Sequence, residues 1–80
     1  MEQTQRQLTL GEYRVGVTFN PGQNEYVEIF KRETAKLIDL LNESSQVNDN
    51  TEAKRAFSLA MTNYEDAAMW AVKAVTKPKQ

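Results

Sequence analysis

The sequence contains no histidine and no cysteine, so the nucleophile and base pairs on which most enzymes depend have no members here. Catalysis would have to rest on carboxylates, lysine or tyrosine. The adjacent acids Glu65 and Asp66 cannot share a proton, because neighbouring positions on a helix point about 100° apart. What the chain does offer is donors. Lys31 and Arg32 sit just ahead of Thr34, Arg55 and Ser58 precede Thr62 at helical spacing, and Lys73, Lys77 and Lys79 close the sequence. Groups of this kind hold anions and base edges rather than move protons. The chemistry argues against an enzyme and leaves binding.

The overall charge narrows what is bound. Ten Lys and Arg against eleven Asp and Glu give a net charge of -1, too neutral for a protein that coats a nucleic-acid backbone. Long DNA or RNA is therefore excluded as the expected ligand. A small anion in a local pocket needs only a few donors and no basic surface. No metal-ligand cluster, and so no cofactor, is expected. No segment reads as a signal peptide or a membrane span, which makes a soluble cytoplasmic protein the expectation.

These donors must be positioned by a very small fold. A chain of 80 residues is one domain, and it buries only roughly 60% of the surface it would expose unfolded. With no disulfide or metal to staple it, self-association is the remaining common source of stability. Residues 1–23 read as an arm and a turn: polar and loosely held or a short helical turn through residue 12, then "EYRVGVTF", whose alternating Tyr13, Val15, Val17 and Phe19 predict an extended segment. "NPGQN" at 20–24 is a turn, since Pro21 disfavours helix at Asn20 and Gly22 relaxes the backbone. Asn24 can cap a helix over 25–42, with Tyr26, Val27, Phe30, Leu37, Ile38 and Leu41 on one face and Thr34 in its middle.

A polar loop at 43–50 follows, and Asn50 or Thr51 then caps a helix over 51–76. The fold class is all-α: an antiparallel helical hairpin with an extended N-terminal arm. Phe57, Ala60, Met61, Tyr64, Ala67, Ala68, Ala71 and Val75 form the stripe that should face the first long helix. A second stripe, Leu59, Thr62, Asp66, Met69, Trp70 and Lys73, has no cover within a hairpin. Another subunit is the expected cover, which gives a homo-oligomeric bundle. The competing reading is an adaptor that docks a partner protein through this stripe.

The order of these pieces resembles one family. "FNPG", then "EIFKRETAKLIDLL", a polar loop and "RAFSLAMTNYEDAAMWAVKAVT" are similar to the small phage anti-CBASS proteins that act as cyclic-oligonucleotide sponges. The family's T-x-x-E-[DE]-A-x-M-W signature is met by Thr62, Glu65, Asp66, Ala67, Met69 and Trp70, and its A-x-L-I-D piece by Ala35, Leu37, Ile38 and Asp39. The resemblance runs from Phe19 to Thr76. It implies a helical homohexamer that works in the cytoplasm of the infected bacterial host. It also implies sequestration without cleavage: cyclic dinucleotides such as cyclic GMP-AMP between paired subunits and cyclic trinucleotides at separate sites near a threefold axis, so that CBASS effectors stay off.

Carried onto this chain, the resemblance makes the aromatic before "NP" a base-stacking platform: Phe19, or Tyr13 if the arm folds differently. It places Asn20 beside that platform and gives the phosphate to Thr34 with Lys31 or Arg32. Lys31 flanks the apolar face, whereas Arg32 points almost opposite Thr34. Arg55, Ser58 and Thr62 are the candidates for a trinucleotide. Each residue also has a plain structural reading. Phe19 could be core, and Lys31 and Arg32 could form a solvated face with pairs such as Glu28 with Arg32. Thr34 could bond the Phe30 carbonyl, and Ser58 could be surface. Lys73, Lys77 and Lys79 could complement a helix C-terminus.

Overall fold

A computed structural model describes residues 7–78. Three helices follow in order: α1, Leu10–Val15; α2, Glu25–Gln46; and α3, Thr51–Val75. Helices α2 and α3 form the expected antiparallel hairpin, closed by a connection of four residues, 47–50. Asn24 caps α2 by accepting from the N–H groups of Tyr26 and Val27, and Asn50 caps α3 by accepting from Ala53. These are the roles expected of an amide at an N-cap. The Asn24 side chain also donates to the Val75 carbonyl at 3.5 Å, tying the start of α2 to the end of α3. Among the described residues no helix is long and apolar enough to cross a membrane.

The extended arm is corrected. Residues 10–15 are helical, and the cause lies in their flanks. Thr9 accepts from the Glu12 N–H while Glu12 accepts from the Thr9 N–H, a capping box of the T-x-x-E type. Gly16 then ends the helix in the left-handed region at φ 68, donating to the carbonyls of Glu12 and Tyr13, a close that glycine adopts without strain. The alternation of Tyr13, Val15, Val17 and Phe19 had no second strand to pair with, so helical bonds satisfy the backbone instead. The expectation for residues 1–6 lies outside the described residues, as does the one for Lys79.

The boundaries shift modestly. Helix α2 runs to Gln46 rather than Asn42, and α3 ends at Val75 with Thr76 as its cap. The buried face of α2 is also rotated, by nearly one residue's ~100° step. Val27, Lys31, Ala35 and Ile38 are buried, whereas Tyr26 and Leu37 are exposed. The reason is α1, which crosses α2 where a Cβ on Gly11 would overlap the Ala35 carbonyl oxygen. Asp39 accepts from the Gly11 N–H at 2.7 Å, which fixes that crossing. On α3 the core side chains are Met61 and Ala68. The second stripe stays out: Leu59, Met69 and Trp70 are each more than half exposed.

Candidate functional site

The connection between α1 and α2 holds two of the expected ligand residues, Phe19 and Asn20, and it is built from polar side chains that grip backbone. Phe19 N–H donates to the Gly16 carbonyl at 2.9 Å, and Gln23 N–H donates to the Asn20 carbonyl at 2.9 Å. Asn20 pairs twice with Asn24: its amide donates to the Asn24 carbonyl at 2.9 Å, and its side-chain oxygen accepts from the Asn24 N–H at 3.1 Å. Gln23 holds φ 52, a left-handed turn position that costs a non-glycine residue some strain.

Lys31 reaches up from α2 to close this loop. Its ammonium donates to the Gly16 carbonyl at 2.9 Å and the Phe19 carbonyl at 2.6 Å. It also lies 5.4 Å from the centre of the Phe19 ring, within cation–π range. Only 8% of the residue is exposed. Burial strips water from the ammonium and pushes its pKa below the ordinary 10.5. The Phe19 ring itself points outward with 70% of its surface exposed, so it is not core.

Two grooves flank Lys31. One, of about 510 Å³, is lined by Phe19, Asn20, Val27, Lys31 and Lys77 among others. The other, of about 450 Å³, is lined by Arg14, Lys31, Thr62, Glu65, Asp66 and Met69 among others. In the second groove the Arg14 guanidinium is fixed by Glu65 at 2.8 Å and donates to the Thr62 hydroxyl at 3.3 Å. The fold thus brings Phe19, Asn20 and Lys31 together, and it places Thr62 across Lys31 from them.

The remaining candidates lie apart from both grooves. Tyr13 is exposed on α1. Arg32 is exposed on α2, where its Nε donates to Glu33 at 3.3 Å rather than meeting Glu28. That bond is the first cause holding the Glu33 carboxyl below its ordinary pKa, with Lys36 the second. The Thr34 hydroxyl donates to the Phe30 carbonyl at 2.6 Å. Arg55 pairs with Glu52 at 3.5 Å, and Ser58 is exposed. Lys73 lies 4.9 Å over the Trp70 ring. Sequence reasoning missed Arg14 altogether, because its partner Glu65 is 51 positions away.

A family model described as "Acb2/Tad1, hairpin domain" matches residues 12–76. No curated protein and no solved structure matches the chain.

Proposed function

The chain belongs to the Acb2/Tad1 hairpin-domain family of phage cyclic-nucleotide sponges, and on that premise we propose that it sequesters cyclic GMP-AMP and related cyclic dinucleotides, uncleaved. Cyclic trinucleotides are a second ligand class. Removal of these messengers in the cytoplasm of the infected bacterium keeps CBASS effectors from being activated. The observation that carries this reading is the exposed Phe19 ring at the rim of a groove of about 510 Å³. An open aromatic face stacks on any base, and the amide of Asn20 beside it meets base edges, the phosphate being left to donors of a second copy.

A single chain supplies only part of such a pocket. Arg32 and Thr34 lie on different sides of α2, and Tyr13 is exposed on α1, outside the groove that holds Phe19. The pocket is completed by a second copy, so that Phe19 and Asn20 of one chain face Thr34 and a cation of another. The half-exposed Leu59, Met69 and Trp70 supply the contact, in a homo-oligomer that family resemblance makes a hexamer. Arg55, Ser58 and Thr62 serve the trinucleotide.

The test is isothermal titration with cyclic GMP-AMP and with a cyclic trinucleotide, followed by recovery of the ligand after denaturation. Heat with intact ligand is expected. Absence of heat with both ligands sinks the reading, and a linearised product would make the protein an enzyme. Phe19→Ala should weaken dinucleotide binding by about 1 to 3 kcal/mol. Arg55→Ala should leave it unchanged and weaken the trinucleotide.

A further inference from the structure

We infer that Lys31 is a positioning residue, one that sets the Phe19 platform by chelating the loop that carries it and does not itself bind phosphate. The inference rests on the sponge reading, in which Phe19 stacks on a base. Lys31 places its charge 5.4 Å from the centre of that ring, and electrostatics alone would nominate it as the phosphate ligand. Its geometry assigns it elsewhere. Two of its three N–H groups are engaged by carbonyls of the same short loop, Gly16 at 2.9 Å and Phe19 at 2.6 Å. The residue is 8% exposed, so little of its surface is left for a phosphate to meet.

The same contacts explain why the loop needs a donor there. The Gly16 carbonyl accepts from both Lys31 and the Phe19 N–H, and the Phe19 carbonyl accepts from Lys31. One ammonium therefore ties down both ends of the segment 16–19. Because residues 16–19 lie in neither helix nor strand, the side chain supplies the carbonyls of that segment with donors a ladder would otherwise give. The ring gains a further restraint from the charge 5.4 Å from its centre. An aromatic platform held this way has less freedom to lose when a base arrives, which is how preorganisation raises affinity.

A double-mutant cycle separates positioning from direct contact, since two residues acting through one contact are not additive. Titration with cyclic GMP-AMP is run on Phe19→Ala, Lys31→Met and the double variant. Phe19→Ala should lose about 5- to 150-fold in affinity. Lys31→Met should lose part of that, and the double variant no more than Phe19→Ala alone. A double variant that loses the product of the two single losses overturns the inference, because Lys31 would then meet the ligand independently. Should Lys31→Met unfold, Lys31→Gln, which keeps an N–H donor, carries the same cycle.

A second readout needs no ligand. Hydrogen exchange at the Phe19 amide should accelerate at least about tenfold in Lys31→Met, while amides in the middle of α3 keep their rates. An unchanged Phe19 rate overturns the inference. If the unmodified protein takes up no cyclic GMP-AMP, the sponge reading falls, and the exchange rates still decide whether Lys31 holds the loop.

Discussion

Along the α1–α2 connection, the inward-facing polar groups find partners within the chain: Asp39 takes the Gly11 N–H, Arg14 meets Glu65, Lys31 holds Gly16 and Phe19, and Asn20 pairs with Asn24. The outer flank of α3 is the reverse. There Leu59, Met69 and Trp70 are 51%, 58% and 57% exposed, and the nearest restraint on the tryptophan is Lys73 over its ring. The first region closes its hydrogen bonds within one chain. The second is apolar surface that the described residues leave uncovered, and a patch of this kind is suited to a contact with something else. In the proposed assembly, stability and association would be carried by different residues.

That division can be broken most directly at Gly11. A Cβ there meets the Ala35 carbonyl oxygen, which is backbone and cannot swing aside. Gly11→Val should cost about 3 kcal/mol, the upper part of the range for overpacking, read as a lowered urea midpoint with an unchanged slope. A midpoint within experimental scatter of the unmodified protein would mean that α1 does not cross α2 so closely. Trp70→Lys should do the opposite. The folded monomer should change by no more than about 0.5 kcal/mol, while self-association should weaken by about 2 kcal/mol or more, as for a central aromatic at an interface. Sedimentation showing the same mass before and after substitution would remove Trp70 from the contact.

Asn24 tests whether the stapled region acts as a unit. It caps two N–H groups of α2 and also reaches Val75, so Asn24→Ala should cost about 1 to 2 kcal/mol, the high end for a lost cap. A loss below about 0.5 kcal/mol would reduce it to an exposed cap that contributes little to the hairpin.

The smallest expected effect is that of pH on Lys31. Its folded-state pKa lies below the ordinary 10.5 because burial disfavours the charge. Between the two values the unfolded chain binds a proton that the folded chain has released, so stability from this group rises as pH climbs through that window. Urea midpoints from pH 8 to 10.5, compared with Lys31→Met, should show that relative rise. A relative fall would mean that the loop carbonyls stabilise the ammonium more than burial opposes it.

The hairpin was legible in the sequence because its signals are local. Asn24 and Asn50 are caps by type, Met61 and Ala68 recur at helical spacing, and the polar run before Thr51 has nothing to bury. The uncovered stripe of Leu59, Met69 and Trp70 was legible for the same reason. The N-terminal segment was misread because two local signals compete there. The alternation from Tyr13 to Phe19 suggests extended chain, but Thr9, Glu12 and Gly16 supply both ends of a helix. Of the candidate site, the family resemblance drew attention to Phe19, Lys31 and Thr34, and residue type could not separate their roles. A threonine that bonds back to Phe30 looks the same in sequence as one that meets phosphate.

By itself, then, the sequence determined an all-helical hairpin without histidine or cysteine chemistry, and a second stripe on its last helix that the hairpin leaves uncovered. Those properties follow from composition and from periods of a few residues, which are set before the chain folds. Only the tertiary structure decided that Lys31 is buried against the loop, that Arg14 belongs to Glu65, and that Gly11 lies on Ala35. Each is a contact between residues distant in sequence. An ammonium or guanidinium takes whichever oxygens the packed backbone presents, and that choice exists only once the helices have docked.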